Sequence, residues 1–314
     1  MTTPRKILCL CQQYDLREMF GDGFKAHPDL ELVLPDEVTD PTQIKYVLAF
    51  RPLPDAFDPL RDLRMVMSVG AGVDGLLLHP GLPSDVPLIR MVNPEQAEMM
   101  AGFAAWHVVG HHRGMLDFPA FQRDRLWKAG HCIDMPSSFP VTVLGFGNMG
   151  RAIGRALAAM GYPVRAWAGR ARVEDGIEVL AGEDGLRQVL AEAKAVVGVL
   201  PLTDATRGFF NFRTFAMMRP DALLVQLGRG GHLIEDDLIA ALDTGQLARA
   251  ALDVFQTEPL PPESPLWTHP KVMVTPHIAS DSSGSAVAAA VYASITSHES
   301  GRRPEGLVDR DRGY

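Results

Sequence analysis

Three polar side chains fall at or just beyond the carboxyl ends of short apolar runs in the second half of the sequence. They are Arg229 in Leu227-Gly228-Arg229-Gly230-Gly231, Glu258 in Leu252-Asp253-Val254-Phe255-Gln256-Thr257-Glu258-Pro259-Leu260, and His277 in Val274-Thr275-Pro276-His277. That edge is where open α/β sheets bind their ligands. A guanidinium and an imidazolium stabilise negative charge building on a carbonyl oxygen, and the imidazolium can then protonate it. A carboxylate beside an imidazole favours its charged form and fixes the ring. Taken singly, each residue also has an ordinary reading: a core histidine, a helix-end cation, a solvated turn acid.

A fourth string has the chemistry of a cofactor cradle. Gly145-Phe146-Gly147-Asn148-Met149-Gly150 follows the strand-like Val141 to Leu144 and opens a helical pattern with apolar Ile153, Leu157 and Met160. Gly161 ends that helix and Pro163 opens the next strand. The first glycine permits a tight turn, the second lets a pyrophosphate approach the backbone, and the third lets helix and strand pack closely. The helix start offers free N–H groups to phosphates, so the string predicts dinucleotide binding. Between Arg151 and Val173 no carboxylate occurs, while Arg165, Arg170 and Arg172 are present and the loop after Trp167 reads Gly169-Arg170-Ala171-Arg172. An acid there would bond a ribose 2′-hydroxyl; guanidinium groups instead match a 2′-phosphate, so NADPH is expected over a weaker NADH.

Two further constellations lead elsewhere. Gly70-Ala71-Gly72-Val73-Asp74-Gly75 follows a strand-like run, but Pro80 and Pro83 leave too short a helix behind it for a dinucleotide. Its loop N–H groups can still cradle a smaller anion such as a carboxylate. His107 and His111 stand at i, i+4 with His112 adjacent, a spacing that can present two metal ligands on one helix face. No carboxylate lies between them in a metalloprotease arrangement, and no metal is expected.

These residues must be positioned by the elements around them, and the pattern of those elements is α/β: short apolar runs alternating with longer helical ones. The first third offers strands at Lys6 to Cys11, Leu30 to Leu34, Tyr46 to Phe50, Arg64 to Val69 and Leu88 to Val92. A second array follows at Val141 to Leu144, Val164 to Trp167, Ala195 to Leu200, Leu223 to Leu227, Ala250 to Val254 and Val272 to Thr275. Two arrays predict two doubly wound parallel sheets. Pro94 to Leu116 reads as one helix linking them, with a hinge there, and Ser285 to Glu299 as a last helix returning to the first. The expected division is a discontinuous first domain, 1–98 with 284–314, and a dinucleotide-binding domain, 99–283.

Composition sets the outer limits. A chain of 314 residues suits two domains, and 46% hydrophobic with 22% charged residues is that of a globular protein. A formal charge of -8 offers no general attraction to nucleic acid or to anionic membranes, so neither is an expected partner. Cys9, Cys11 and Cys132 make no disulfide framework, and the apolar run Ile7 to Cys11 is too short for a signal sequence or a span. The expected compartment is the cytoplasm.

The strings around Arg229, Glu258 and His277, in this order and after the glycine fingerprint, resemble the D-2-hydroxyacid dehydrogenase family over nearly the whole chain. Within it the chain is most similar to the glyoxylate/hydroxypyruvate reductase A subgroup. The grounds are the acid-free second strand end, the string Glu258-Pro-Leu-Pro-Pro-Glu-Ser-Pro-Leu-Trp267, and the tail Val308-Asp-Arg-Asp-Arg-Gly-Tyr314. The resemblance implies that the first domain is the substrate-binding one, flavodoxin-like, and faces the Rossmann domain across a cleft. It implies that Arg229 binds the carboxylate and carbonyl of a 2-oxo acid, that His277 donates the proton and that Glu258 is its partner. Cofactor contacts are implied at Leu200, Pro201, Thr206, Leu227, Gly228 and Asp253, the last beside the nicotinamide. The substrate would meet Phe50 and the N–H groups of Ala71 and Gly72, and Trp127 would close the pocket from the other subunit of a homodimer. Gln226 and Gly228 depart from the Asn and Ala often found beside the arginine. The expected reaction is NADPH-dependent reduction of glyoxylate and hydroxypyruvate to glycolate and D-glycerate. Alternatives are reduction of a larger 2-oxo acid such as phenylpyruvate, and a non-catalytic dinucleotide-sensing protein.

Overall fold

A computed structural model describes residues 3–130 and 134–314; Cys132 lies outside them. In chain order the first elements are β1 (Arg5–Cys11), α1 (Leu16–Phe24), β2 (Leu30–Val33), β3 (Tyr46–Phe50), β4 (Met65–Ser68), α2 (Asp74–Leu77), β5 (Leu88–Ile89) and α3 (Pro94–His112). Next come α4 (Phe118–Arg123), β6 (Val141–Leu144), α5 (Asn148–Ala159), β7 (Val164–Trp167), β8 (Arg172–Glu174), β9 (Ile177–Leu180) and α6 (Gly182–Glu192). The last are β10 (Ala195–Gly198), α7 (Phe212–Met217), β11 (Leu223–Gln226), α8 (Glu235–Asp243), β12 (Arg249–Leu252), β13 (Val272–Val274) and α9 (Gly284–Glu299). The chain divides into two compact units, Met1–Glu95 with Ser282–Tyr314, and Gln96–Asp281. The boundaries expected from sequence lie a few residues later at both places. No helix among the described residues is long and apolar enough to cross a membrane.

The first unit is a parallel sheet ordered β2-β1-β3-β4-β5. Its strands are apolar on both faces, as burial by helices on either side requires. On one face Leu16 and Phe20 of α1 and Val287, Val291 and Ile295 of α9 share a core with Ile7, Leu48 and Met67. The two helices cross closely at glycines, since a Cβ on Gly23 would stand 2.0 Å from the Gly284 oxygen. β5 is shorter than Leu88 to Val92. Beyond Ile89 the backbone turns to the carboxyl-terminal segment, with Arg90 N–H donating to the Gly306 oxygen at 2.9 Å and Ile89 bridged antiparallel to Leu307. That segment covers what would otherwise be an open sheet edge.

The second unit is a sheet ordered β13-β12-β11-β10-β6-β7-β9-β8, parallel throughout except for β8 on β9. Ala101, Ala104 and Val108 of α3 pack on Val141 and Val143 from one side. Leu190, Phe215, Leu238 and Leu242 close the other. The proposed single helix Pro94 to Leu116 ends instead at His112, and Gly114 takes a positive φ of 59° before α4. The β8–β9 hairpin is absent from the sequence-based strand set. Its turn is Asp175-Gly176, both at positive φ (56° and 75°), and an Asp-Gly pair between short apolar alternations is the strongest local hairpin signal. Arg172 is therefore the first residue of an edge strand rather than part of an open loop.

Candidate active site

β11, β12 and β13 are adjacent parallel strands, so the segments leaving their carboxyl ends emerge side by side. These segments carry Arg229, Glu258 and His277. His277 Nδ1 lies 3.0 Å from Glu258 Oε2, and the other Glu258 oxygen accepts the Phe255 N–H at 3.1 Å. The histidine side chain is 38% exposed and that of Glu258 18%, which leaves the far edge of the ring free to meet a ligand.

His277 has a φ of 57°, the left-handed region that side chains other than glycine rarely occupy. Asp253 holds it there. That carboxylate is 1% exposed and accepts from Ile278 N–H and Ala279 N–H at 2.9 Å each, and from Thr275 Oγ1 at 2.7 Å. Both oxygens are thus engaged by the loop that carries the histidine. Asp253, expected beside the nicotinamide, is tied to that loop and positions His277.

Arg229 is half-buried, and its backbone is clamped. Gln226 Nε2 donates to the Arg229 oxygen at 3.0 Å, and the Arg229 N–H donates to His232 Nδ1 at 3.0 Å. His232 is fully buried, with Nε2 3.2 Å from the Pro201 oxygen, so its ring ties the arginine to the turn after β10. Accepting at Nδ1 assigns the ring hydrogen to Nε2, which donates to Pro201. A Cβ on Gly228 would stand 3.1 Å from the His232 ring and 3.1 Å from the Leu200 oxygen, so this close packing suits glycine. The departures at Gln226 and Gly228 belong to one packed arrangement. His232 escaped the sequence reading, because nothing in Gly230-Gly231-His232 reveals what a buried ring will touch. Gly230 brings this segment onto the next, for its Cβ would stand 1.9 Å from the Phe255 carbonyl carbon.

The glycine fingerprint separates into three different needs. Gly145 takes a φ of 95°, and its Cβ would meet the Val199 oxygen at 2.7 Å; a Cβ on Gly150 would meet the Gly145 oxygen at 1.9 Å. A Cβ on Gly147 would meet nothing within 4 Å. Gly147 caps α5 with no side-chain bond to the first N–H groups. An open approach onto a helix start fits a dinucleotide pyrophosphate. Asn148 and Met149 are half-buried at that start, whereas Phe146 is a core residue under the ring-stacked guanidinium of Arg172.

The arginines beyond β7 are not equivalent. Arg172 donates to Glu174 Oε2 at 2.7 Å and to the Phe146 oxygen at 2.9 Å. Its bonds, with those of Arg151, hold the Glu174 carboxyl below the usual carboxylate range. Arg165 pairs with Glu178 and Glu192. The carboxylates that answer these two arginines lie beyond the acid-free stretch Arg151 to Val173, at 174, 178 and 192. Arg170 is exposed and, among the described residues, has no ion-pair partner. Leu200 and Leu227 are buried just beyond β10 and β11, and Thr206 Oγ1 closes its own turn by donating to the Pro201 oxygen at 2.7 Å.

Phe50, Ala71 and Gly72 belong to the other unit. Phe50 ends β3 half-buried, with the Arg51 guanidinium 5.5 Å from its ring. Ala71 and Gly72 follow β4, and among the described residues their N–H groups have no protein acceptor. Trp127 is 96% exposed. The histidines of α3 go separate ways: His111 to the Asp221 oxygen, His112 to Tyr162 Oη, and His107 into the core between Phe103 and Trp106.

A parallel α/β unit with an open glycine cradle and an acid–imidazole pair at the same kind of strand edge defines a nicotinamide-dependent oxidoreductase. Residues 105–279 match the D-isomer specific 2-hydroxyacid dehydrogenase NAD binding domain. The chain is 37% identical over 276 residues to glyoxylate/hydroxypyruvate reductase A of Serratia proteamaculans, covering 86% of this chain and 87% of that protein. It is 36% identical over the same length to the protein of that name from Yersinia enterocolitica. A D-isomer specific 2-hydroxyacid dehydrogenase from Xanthobacter autotrophicus Py2, solved in complex with NADPH and MES, superposes with a TM-score of 0.93 over 100% of both chains at 34% identity. The NADPH-dependent glyoxylate/hydroxypyruvate reductase of Sinorhizobium meliloti, solved with NADP and sulfate, gives 0.92 at 34% identity over 98% of this chain and 99% of that one. The chain belongs to the D-isomer specific 2-hydroxyacid dehydrogenase family and is an NAD(P)-dependent oxidoreductase.

Proposed function

We propose that the protein reduces short 2-oxo acids, glyoxylate and hydroxypyruvate first, with NADPH, yielding glycolate and D-glycerate. The observation that carries this reading is the His277–Glu258 pair, at 3.0 Å, beside the clamped Arg229 segment on one sheet edge. NADPH, held on the Gly145–Gly150 cradle, supplies the hydride. Arg229 binds the carboxylate and carbonyl and stabilises charge as it builds on the C2 oxygen. His277 gives that oxygen its proton from Nε2, while Glu258 accepts the hydrogen bond from Nδ1–H and fixes the orientation of the ring. The Ala71 and Gly72 N–H groups of the first unit suit a small anion. Preference for NADPH is supported by the exposed Arg170 at the end of β7 and by the NADPH and NADP bound in the relatives.

The test is the loss of cofactor absorbance, with NADPH and NADH in parallel, on glyoxylate, hydroxypyruvate, pyruvate and phenylpyruvate. Fastest turnover of the first two with NADPH is expected. Fastest turnover of phenylpyruvate would reassign the substrate, and no turnover of any would leave a dinucleotide-binding protein without this activity.

A further inference from the structure

The first unit contains a cavity of about 180 Å³ between β4, β5, the second half of α9 and the carboxyl-terminal segment. Its wall includes Ser68, Arg90, Met91, Ser294, Ser297 and Glu305. None of these belongs to the site described above. A volume of that size holds several waters, and therefore a ligand of a few heavy atoms.

The wall is polar. Ser294 is 8% exposed and Ser68 3%. Among the described residues the side chains of half-buried Arg90 and Ser297, of buried Ser294 and of exposed Glu305 make no hydrogen bond or ion pair within the protein, so they are available to a ligand. Burial pushes the Arg90 guanidinium below its ordinary value, and the charge of Glu305 acts on it in the opposite direction. The two charges thus line one cavity and act on each other without meeting. A plain anion would satisfy Arg90 and be repelled by Glu305; a plain amine would meet the reverse. A small molecule with both charges answers both groups, with serine hydroxyls left to complete its hydrogen bonds.

We propose that this cavity is a second binding site, for a small zwitterion such as an α-amino acid with a short side chain, its carboxylate on Arg90 and its ammonium group toward Glu305. The wall is also the back of the Gly70–Gly72 loop. Gly70 N–H donates to Ser68 Oγ at 3.2 Å, and Met91 N–H donates to the Gly70 oxygen at 3.1 Å. A ligand here therefore bears on that loop, whose Ala71 and Gly72 N–H groups suit a small anion; binding itself does not depend on the proposed function.

Titration calorimetry on the full-length protein, with glycine and with L-serine as probes, reads binding without reference to turnover. Saturable binding at millimolar concentration or below is expected. Glu305→Gln and Arg90→Gln should each weaken it by about tenfold or more. Acetate and ethylamine, which carry one charge each, should bind at least about tenfold more weakly than glycine. Ser294→Leu, which fills the cavity, should abolish the heat; thermal melting confirms that each variant is folded, and the exposed Glu305 serves where the buried positions do not tolerate change. No saturable binding of either amino acid would overturn the proposal. So would acetate binding as tightly as glycine, or glycine binding unchanged in folded Glu305→Gln.

Discussion

At the scale of single residues the site is a set of side chains held by others. His277 is held by Glu258 from one side and by Asp253 through its backbone, and Arg229 by Gln226 and His232. If His277 is the proton donor, His277→Ala should lower kcat by about 10²- to 10⁴-fold. NADPH affinity, read by fluorescence titration, should stay near the parental value, since the ring is assigned no cofactor contact. The arginines beyond β7 make a sharper comparison. Arg170→Ala should raise the KM for NADPH by about tenfold and leave that for NADH nearly unchanged, the loss of one charge-assisted phosphate contact. Arg172→Ala should act differently, because that guanidinium joins the edge strand to the Phe146 oxygen: it should lower the melting temperature and weaken both cofactors.

At the scale of elements, strand-to-helix turns decide what the glycines do. A Cβ on Gly150 would overlap the Gly145 oxygen at 1.9 Å, while one on Gly147 would point into open space. Gly150→Ala should therefore destabilise the fold by several kcal/mol, of the order of other core overpacking. Gly147→Val should melt near the parental temperature yet bind NADPH at least about tenfold more weakly, by blocking the pyrophosphate approach. Equal effects at both positions, in melting and in cofactor titration, would contradict this division. The strands at the centre of the second sheet are readable because parallel strands buried on both faces are short apolar runs, as at β6, β10 and β11. β8 and β9 lack that signature, and only Asp175-Gly176 marks their turn. β8 is an exposed edge strand without the apolar pattern by which buried strands are recognised.

At the scale of the whole molecule, buried histidines couple stability to pH. Burial lowers the His107 pKa from 6.5 to about 4, and His111 and His112 shift in the same direction. The unfolded chain binds the His107 proton more readily than the folded one. The stability contributed by keeping this ring neutral is complete above pH 6.5 and is lost as pH falls toward 4. The full difference is about 3 kcal/mol. His107→Phe should thus reduce the fall in Tm between neutral and mildly acid buffer, measured by calorimetry at both. Exposed Trp106, Trp127 and Met135, at 55%, 96% and 68%, lie within one stretch of the second unit. If these side chains meet a second copy of the chain, sedimentation should show a homodimer and Trp127→Ser should weaken it. By itself the sequence determined the two-sheet class and the glycine cradle, because burial periodicity and special backbone turns leave local signatures; it offered Arg229, Glu258 and His277 as candidates through the resemblance of the strings that carry them. Only the tertiary structure decided that Asp253 holds the His277 loop, that His232 clamps Arg229, that Arg172 is engaged while Arg170 is exposed, and that Arg90 and Glu305 share a cavity. Except for His232 with Arg229, three residues apart, those pairings join residues far along the chain, and which polar group meets which is set by how strands and loops pack, a geometry that local patterns do not contain.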